Sequence, residues 1–385
     1  MRILIAPDSF KESLTATEVA HAIASGLKDE LADAVFDLVP IADGGEGTVD
    51  AIVGALSGVI VTCEVTGPLG ENRQAAYGLV NNGVTAIIEM AEASGLALVP
   101  ESTRDPSKTT TFGCGELVAN ALGRGVKEIV FGVGGSATND GGLGMCQALG
   151  ARFFDHGGTE IVEPICGGKL EKIHSVDINE LRKTIASVTF TAACDVNNPL
   201  LGCNGATYIF GPQKGGSPDD LERLESGLAN AYGVIEEHLG KVIRDVPGAG
   251  AAGGMGAALM VLLNANLRPG VELIAELTQL PARIAKADLV ITGEGCLDGQ
   301  SALGKAPVGI AKIAAAANVP VIAIGGMVAE NAPVLYEHGI NVIESTIVRP
   351  CSTEEAIANA HENLVSAARR IGRWIKFADS IRLAK

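Results

Sequence analysis

The amino-acid sequence predicts an α/β fold in which a parallel sheet, built from both ends of the chain, carries a large inserted domain. Near each end, short apolar runs alternate with helical patterns, and this alternation is typical of a parallel sheet covered by helices on both faces. Between about residues 60 and 265 it gives way to short strands, glycine-rich loops and helices. We therefore expect two α/β domains, one inserted into the other.

The first strand and helix show the signals on which these assignments depend. Residues 3–6 are an apolar run, and the helix that follows has Thr15 and Glu18 spaced as a capping box. The five strands expected in the parallel sheet are 3–6, 36–42, 289–292, 320–324 and 341–344, with further helices at 49–56, 272–286, 305–317, 330–338 and 353–375. This pattern predicts a flavodoxin-like or Rossmann-like domain of residues 1–60 plus 266–385.

The inserted domain is expected to span residues 61–265 and to be mixed α/β. Strands are predicted at 61–65, 75–79, 85–90, 128–132 and 188–193, and helices at 111–123, 221–239 and 257–264. The first three strands have the character of antiparallel pieces, with Asn81-Asn82-Gly83 as a hairpin turn.

The composition of the chain argues against several classes of function. The formal net charge of −16 argues against binding to nucleic acid or to an anionic membrane surface. The eight cysteines form no C-x-x-C pair, which predicts reduced thiols and no zinc motif. No apolar run approaches the roughly 18 residues of a membrane span, and the N-terminus enters a strand without a signal-peptide pattern. We expect a cytoplasmic protein, a monomer or homodimer, whose partner is a small molecule.

Polar residues and glycines follow several strands of the parallel sheet. Asp8, Ser9 and Lys11 follow the first strand, and Gly293-Glu294-Gly295 is predicted to be a turn after the third. In such sheets ligands bind beyond the carboxyl ends of the strands. Lys11 can neutralise a carboxylate or phosphate there, although an ordinary solvated lysine has the same sequence pattern.

Two further segments extend this edge. Asp43-Gly44-Gly45-Glu46 follows the second strand, and it is either the cap of a helix or a source of carboxylates for Mg²⁺. After the third strand come Asp298, Ser301 and Lys305, where a helix begins and its N–H groups favour an anion. The P-loop pattern is absent, because Gly304-Lys305 is followed by Ala306.

The inserted domain contributes two candidates. A glycine-rich loop follows the strand at 128–132 and can bring backbone N–H groups to a phosphate, unless its glycines only relieve crowding. The residues singled out in it are Gly134, Gly135, Ser136, Thr138, Asn139, Asp140 and Gly141. Asp195 follows another apolar strand and precedes Asn197-Asn198, so it suits a base or a metal ligand, or else turn chemistry alone.

Other motifs are weaker. Residues 248–253 match G-x-G-x-x-G, but the preceding segment is a poor buried strand, so we interpret the match as a false positive for dinucleotide binding. The histidines do not cluster with the polar loops, and no Ser-His-Asp arrangement is visible. Chemistry based on aspartate, lysine, glycine N–H groups and metal matches phosphoryl transfer, which depends on positioning and charge neutralisation.

Several motifs together resemble the bacterial glycerate kinase family. They are IAPDSFKESL (5–14), PIADGGEGTVD (40–50), GGSATNDGGLGM (134–145), CDVNNPL (194–200), GPQKG (211–215) and TGEGCLDGQSALGKAP (292–307). The resemblance implies two α/β domains with the active site in the cleft between them. It also implies the ATP- and Mg²⁺-dependent phosphorylation of D-glycerate, with 2-phosphoglycerate favoured over 3-phosphoglycerate, in sugar-acid breakdown. Family members often carry Arg-x-Asp and Gln-Thr in the last motif. Here Cys296 removes one possible phosphate contact, whereas Ser301 keeps the hydroxyl.

The roles expected on this basis divide the candidates into four sets. Asp195, Lys11, Lys305 and Asp298 are the catalytic set, with Asp195 as the base or hydroxyl-orienting group. Asp8, Ser9, Lys11, Gly44, Gly45, Glu294 and Ser301 bind glycerate. The loop Gly134–Gly141 holds the nucleotide phosphates, and Asp43, Glu46 and Asp195 hold Mg²⁺. The roles are exchangeable among Asp8, Asp43, Asp195 and Asp298.

Two rival classes stay open at this point. A nicotinamide-dependent hydroxyacid dehydrogenase would need the motif at 248–253 to lie at a strand end. A non-catalytic sugar-acid binding protein would bind glycerate without consuming ATP.

Overall fold

The computed structural model describes residues 1–41, 47–303 and 306–383. It divides into two compact units. Unit 1 holds the described residues of Met1–Asp43, Asp50–Ser57 and Val271–Lys385, and unit 2 those of Gly44–Val49 and Gly58–Gly270. Asp43, Gly44, Gly45, Glu46 and Lys305 lie outside the described residues, so the predictions made for them stay predictions.

The strands in the described part of the chain are β1 (Arg2–Ile5), β2 (Val35–Leu38), β3 (Val59–Thr66), β4 (Asn72–Val80), β5 (Thr85–Glu89), β6 (Glu128–Gly132), β7 (Arg152–Phe154), β8 (Ser175–Asp177), β9 (Thr189–Ala193), β10 (Asn266–Arg268), β11 (Leu289–Leu297), β12 (Val321–Val328) and β13 (Val342–Ser345).

The α-helices are α1 (Ala16–Lys28), α2 (Thr48–Leu56), α3 (Met90–Ser94), α4 (Phe112–Gly123), α5 (Leu143–Ala148), α6 (Asn179–Ile185), α7 (Ala206–Phe210), α8 (Pro218–Leu239), α9 (Ala251–Val261), α10 (Gly270–Leu277), α11 (Leu280–Ile284), α12 (Ala306–Ala316), α13 (Thr353–Ala358) and α14 (Ala360–Leu383). Among the described residues, none of the helices combines the length and the apolarity needed to cross a membrane.

Unit 1 is built on a five-stranded sheet with the order β13-β12-β11-β1-β2, and every neighbouring pair is parallel. Numbered by position along the sheet-forming segments, this is the 2-1-3-4-5 order of flavodoxin-like sheets. Ile3, Ile5 and Ile291 are fully buried, and α1 and α14 contribute Ile23 and Leu364 to the same core. The predicted α/β fold class and its parallel sheet are therefore confirmed.

The capping box predicted at the start of the first helix is present. The Thr15 hydroxyl accepts a hydrogen bond from Glu18 N, and a Glu18 carboxylate oxygen accepts one from Thr15 N at 2.8 Å. Two N–H groups at the helix start are thus paired locally, which is why four residues of sequence suffice to place this boundary.

The third strand of the sheet is longer than predicted. The expected turn at 293–295 is wrong, because β11 continues to Leu297 and pairs with β12 as far as Val328. Gly293 permits this continuation, since a Cβ at that position would overlap the carbonyl oxygen of Ile324 on the neighbouring strand. The glycines therefore allow close strand pairing where we expected them to end the strand.

Other boundaries also shifted. The second strand ends at Leu38 rather than at residue 42, although Val39 and Ile41 still donate to Ile5 and Pro7 at 2.8 Å.

The helix expected at 272–286 is two helices, α10 and α11, separated at Gln279, whose φ is +53°. The segment expected as helix 330–338 is a 3₁₀ helix, Ala332–His338. The last helix, expected at 353–375, is likewise interrupted between α13 and α14, and α14 runs to Leu383.

Unit 2 has a six-stranded mixed sheet with the order β10-β9-β6-β5-β4-β3. The pairs β3–β4 and β4–β5 are antiparallel, as predicted, and Asn81–Gly83 forms the turn between β4 and β5. The remaining pairs are parallel, so β5 joins an antiparallel half of the sheet to a parallel half. The predicted mixed α/β character of the inserted segment is thereby confirmed.

Candidate active site

A cavity of about 780 Å³ lies in unit 1, where β1, β11, β12 and β13 end. β1 and β11 are neighbouring strands. β2 lies on one side of β1, whereas β11, β12 and β13 follow on the other side, so the strand order reverses between β1 and β11. Crevices at such a switch point are where open α/β sheets bind ligands. The position of the cavity therefore makes it the candidate active site of unit 1.

Four predicted substrate-binding residues line this cavity: Asp8, Ser9, Lys11 and Glu294. The backbone holds the first of them in place, because Asp8 N donates to Gly293 O at 2.8 Å. Ser9 N donates to an Asp8 carboxylate oxygen at 2.6 Å, which fixes that side chain beside the strand end. Lys11 is exposed and brings a positive charge to the same wall. The structure thus brings together residues from two strand ends that are far apart in sequence.

Behind the cavity wall, Ser301 and Asp298 form a small polar network with Glu294. The fully buried Ser301 hydroxyl donates to a carboxylate oxygen of Glu294, a side chain that is only 7% exposed. The same hydroxyl accepts a hydrogen bond from Asp298 N at 3.2 Å, and an Asp298 oxygen accepts from Gln300 N at 2.9 Å. Within the described cavity lining, Glu294 is present but Ser301 and Asp298 are not. Ser301 therefore orients Glu294.

In unit 2, the predicted nucleotide loop is mostly buried. Gly134 is half-buried and Gly135 is exposed, whereas the side chains of Thr138, Asn139 and Asp140 are completely buried. Two of the N–H groups of the loop are already used, because Ala137 donates to Ser94 O and Gly141 to Gly253 O. The open part of this loop is its beginning, around Gly134 and Gly135.

The carboxylate of Asp140 holds the loop to its surroundings. It accepts hydrogen bonds from Thr111 N and Thr111 Oγ1 at 2.8 and 2.7 Å and from Gly142 N at 3.0 Å. Burial raises the pKa of Asp140, and these hydrogen bonds favour the charged form and oppose part of the rise. Asp140 thus has the environment of an internal structural acceptor.

Lys214 is a buried cation that the sequence did not single out as a site residue. Its Nζ donates to Ser136 Oγ at 2.8 Å and to Thr138 O at 2.7 Å, and the residue is 2% exposed. Burial lowers the pKa of Lys214 to about 7, because the charged form loses its hydration. The only sequence signal was the motif GPQKG (211–215), in which nothing indicates burial.

Asp195 follows β9, as predicted, and its side chain is exposed. One carboxylate oxygen accepts a hydrogen bond from Gly270 N at 3.0 Å. This hydrogen bond fixes the position of one carboxylate oxygen of Asp195. This arrangement is compatible with the predicted role, which stays a prediction.

The motif at 248–253 does not have the context of a dinucleotide site. Residues 241–250 are all described, and they contain turns and bends but no strand. Ala252, Gly253 and Gly254 have left-handed backbone angles at the start of α9. The structure therefore lacks the strand–turn–helix unit that a Rossmann fingerprint requires, as the sequence indicated.

Metal ligands were predicted at Asp43, Glu46 and Asp195. Only Asp195 falls within residues 1–41, 47–303 and 306–383, and across those ranges no group of three or more His, Cys, Asp or Glu side chains is placed to hold a metal ion. Mg²⁺ in phosphoryl-transfer sites needs only one or two carboxylates, since phosphate oxygens and waters complete its shell. Asp8 and Glu294 line one cavity and fit that requirement.

Comparison with known proteins identifies the family. A family model described as the glycerate kinase family matches residues 3–376. The chain belongs to the glycerate kinase family.

Relatives and a solved structure agree with this assignment along the whole chain. A glycerate kinase of Bacillus subtilis is 46% identical over 381 residues, covering 99% of each chain. A glycerate 2-kinase of Escherichia coli is 47% identical and covers 96% of this chain and 97% of its own. A crystal structure from Salmonella typhimurium LT2, described as a glycerate kinase 2, has 48% identity and a TM-score of 0.89, with 99% coverage of both chains.

Proposed function

We propose that this protein transfers the γ-phosphoryl group of ATP to D-glycerate and that the product is 2-phosphoglycerate. The observation that carries the proposal is the cavity at the β1–β11 switch point in a chain of the glycerate kinase family. Its lining includes the ammonium group of Lys11 and the carboxylates of Asp8, Glu12 and Glu294. The name of the Escherichia coli relative, a glycerate 2-kinase, supports the 2-phosphate over the 3-phosphate.

Lys11 and Ser9 are suited to bind the carboxylate of glycerate. Both line the cavity beside β1, and a charge-assisted hydrogen bond from an ammonium to a carboxylate is about twice as strong as a neutral one. Asp8 and Glu294 can accept hydrogen bonds from the hydroxyl groups of the same acid. Gly44, Gly45 and Lys305 stay in the proposal on their sequence positions, with Lys305 assigned to the transferred phosphate.

Phosphoryl transfer requires an acceptor hydroxyl that is held in line with the phosphorus and has a partner for its proton. Asp195 is our candidate for this partner. Glu294 is the second candidate, because it lines the cavity and its orientation is set by Ser301. Asp298 contributes through Ser301, whose hydroxyl accepts from its backbone N–H.

The nucleotide phosphates are assigned to the loop Gly134–Gly141, whose exposed beginning at Gly135 leaves backbone there open to a ligand. Mg²⁺ is assigned to carboxylates among Asp43, Glu46 and Asp195, and Asp8 and Glu294 are further carboxylates of the right chemistry. When bound, the ion would neutralise charge on the phosphate oxygens.

The cellular setting is part of the proposal. None of the eight cysteines, all of which lie within the described residues, forms a disulfide, which suits a reducing compartment such as the cytoplasm. We place the protein there, as a monomer or homodimer, in sugar-acid catabolism.

The test is to incubate the protein with D-glycerate, ATP and Mg²⁺, to follow ADP release and to identify the product by phosphorus NMR. Proton–phosphorus coupling to one carbon-bound hydrogen identifies the 2-phosphate, and coupling to two identifies the 3-phosphate. L-glycerate and heat-inactivated protein are the controls. Absence of ADP release with D-glycerate would refute the proposed activity, and a 3-phosphate product would refute the regiochemistry alone.

A further inference from the structure

The cavity in unit 1 is larger than a three-carbon acid needs. It extends across the ends of four adjacent strands, from β1 through β11 and β12 to β13. Neighbouring strands lie about 4.8 Å apart, so this row covers about 14 Å. Its volume of about 780 Å³ falls within the range of pockets that enclose cofactor-sized ligands. Glycerate therefore leaves a large part of it for another group.

The two sides of the cavity differ in chemistry. Over β1 and β11 the lining is polar and charged, with Asp8, Lys11 and Glu294. Over β12, β13 and α13 the lining is uncharged and combines apolar side chains with the hydroxyl groups of Ser345, Thr346, Ser352 and Thr353. We call the apolar residues on that side the apolar arm; they are Met327, Val328, Ile347, Ala356 and Ile357.

The apolar arm is open to solvent. Met327 is 55% exposed, and the other four residues are half-buried. Apolar side chains that remain wet inside a concave site are those that a ligand usually covers. A flat ring with apolar faces gains more from this surface than a charged acid does, because only the ring releases water from apolar atoms.

The backbone under the arm is already ordered. Met327 and Val328 lie on β12, whose register with β11 pairs them with Cys296 and Leu297. The chain after β13 is tied to the same strand, since Thr346 N donates to Gly325 O at 2.9 Å and Thr346 Oγ1 to Gly326 O at 3.1 Å. A ligand that binds here does not have to order these strands first, which preserves affinity.

We propose that the apolar arm binds the purine ring of the nucleotide donor, on the far side of the cavity from Lys11. The inference rests on the proposed kinase function and concerns the base alone. The thioether of Met327 is polarisable and suits contact with an aromatic ring, and Ile347 and Ile357 offer aliphatic surface. Thr353 adds a hydroxyl to the lining for the polar edge of the base.

Calorimetric binding of ADP, of D-glycerate and of tripolyphosphate, each with Mg²⁺, tests the inference without relying on turnover. Tripolyphosphate is the comparator because it has the phosphate chain but no base. Met327→Ala and Ile357→Ala should each raise the Kd of ADP about tenfold, equivalent to about 1.4 kcal/mol. The Kd values of glycerate and tripolyphosphate should stay within about twofold, as expected away from the mutated contact.

The matched control is Val348→Ala, which shortens a side chain that is 71% exposed and outside the described cavity lining. It should leave all three Kd values unchanged. A second variant, Ile357→Trp, fills the arm and should abolish ADP binding while tripolyphosphate still binds.

Each alternative result has a distinct meaning. Wild-type ADP affinity in both alanine variants would overturn the placement of the base and leave the kinase function standing. Equal weakening of ADP and tripolyphosphate would also overturn it, since the arm would then not recognise the base. A wild-type protein that neither binds ADP nor turns over glycerate would overturn the proposed function, and the inference with it.

Discussion

Replacing Lys214 with methionine tests whether burial of this side chain in unit 2 makes the free energy of unfolding depend on pH. Burial lowers the pKa of Lys214 from 10.5 to about 7. The folded state therefore disfavours the charged form, and the free energy of unfolding depends on pH wherever the two states bind different numbers of protons. Methionine has a similar length and does not titrate, so it removes this dependence.

The sign follows from the two pKa values. Below about pH 7 the lysine is charged in both states, and the cost of burying the charge is fully present. Between about 7 and 10.5 the unfolded state binds one proton more than the folded state, so the free energy of unfolding rises by up to about 1.4 kcal/mol per pH unit. Above about 10.5 both states are neutral and the rise ends.

The quantity to compare is the difference in the free energy of unfolding between wild type and Lys214→Met, and the prediction is how much this difference changes with pH. From about pH 7.5 to 9.5 that difference should move by about 2.5 kcal/mol in favour of the wild type. The variant also leaves Ser136 Oγ and Thr138 O without their donor, at about 1–3 kcal/mol each, but this cost does not vary with pH. The pH dependence of this free-energy difference therefore reports the titration of Lys214, whereas its pH-independent part does not.

The assay is urea unfolding followed by circular dichroism at several pH values, with Lys127→Met, an exposed lysine in unit 2, as the control. Burial raises the pKa of Cys114 to about 12, which lowers stability at high pH, but this effect is common to all variants and cancels in the difference. A wild-type-minus-variant difference that is flat across this range would refute the buried, titrating lysine.

Three further predictions concern the site. Ser301→Ala should lower kcat about 10- to 100-fold with little change in the KM for ATP, because Glu294 loses a hydrogen bond worth about 1.5–3 kcal/mol; Ser301→Thr should restore activity, and wild-type kcat in the alanine variant would remove Ser301 from the mechanism. Lys11→Met should raise the KM for D-glycerate about 10- to 100-fold, whereas Lys127→Met should not, and equal KM values in steady-state assays would contradict the carboxylate contact. Asp195→Asn should lower kcat by about two orders of magnitude or more without changing the melting temperature, and near-wild-type turnover would exclude Asp195 as the base.

Much of the site in unit 1 could be predicted because parallel strands place their carboxyl ends on one edge. Asp8, Ser9, Lys11 and Glu294 were all expected there, and the structure puts them around one cavity. The apolar arm could not be predicted, since Met327 and Ile347 read as ordinary apolar residues in sequence. Their exposure depends on how β12, β13 and α13 end beside one another.

The sequence by itself determined the features that depend on residues a few positions apart. These are the apolar runs of the strands, the capping box at Thr15, the hairpin at Asn81–Gly83 and the motifs that identify the family. Each follows from local backbone chemistry, so a short window of residues contains the whole physical cause.

Only the tertiary structure decided features that require distant partners. β11 continues beyond Gly293 because it pairs with β12 there. Lys214 can be buried because Ser136, 78 residues away, accepts its hydrogen bond. Ser301 orients Glu294 because the chain folds its hydroxyl inside rather than toward the cavity. Burial and pairing of this kind depend on the packing of whole elements. A short segment of sequence does not specify which distant residues it will pack against.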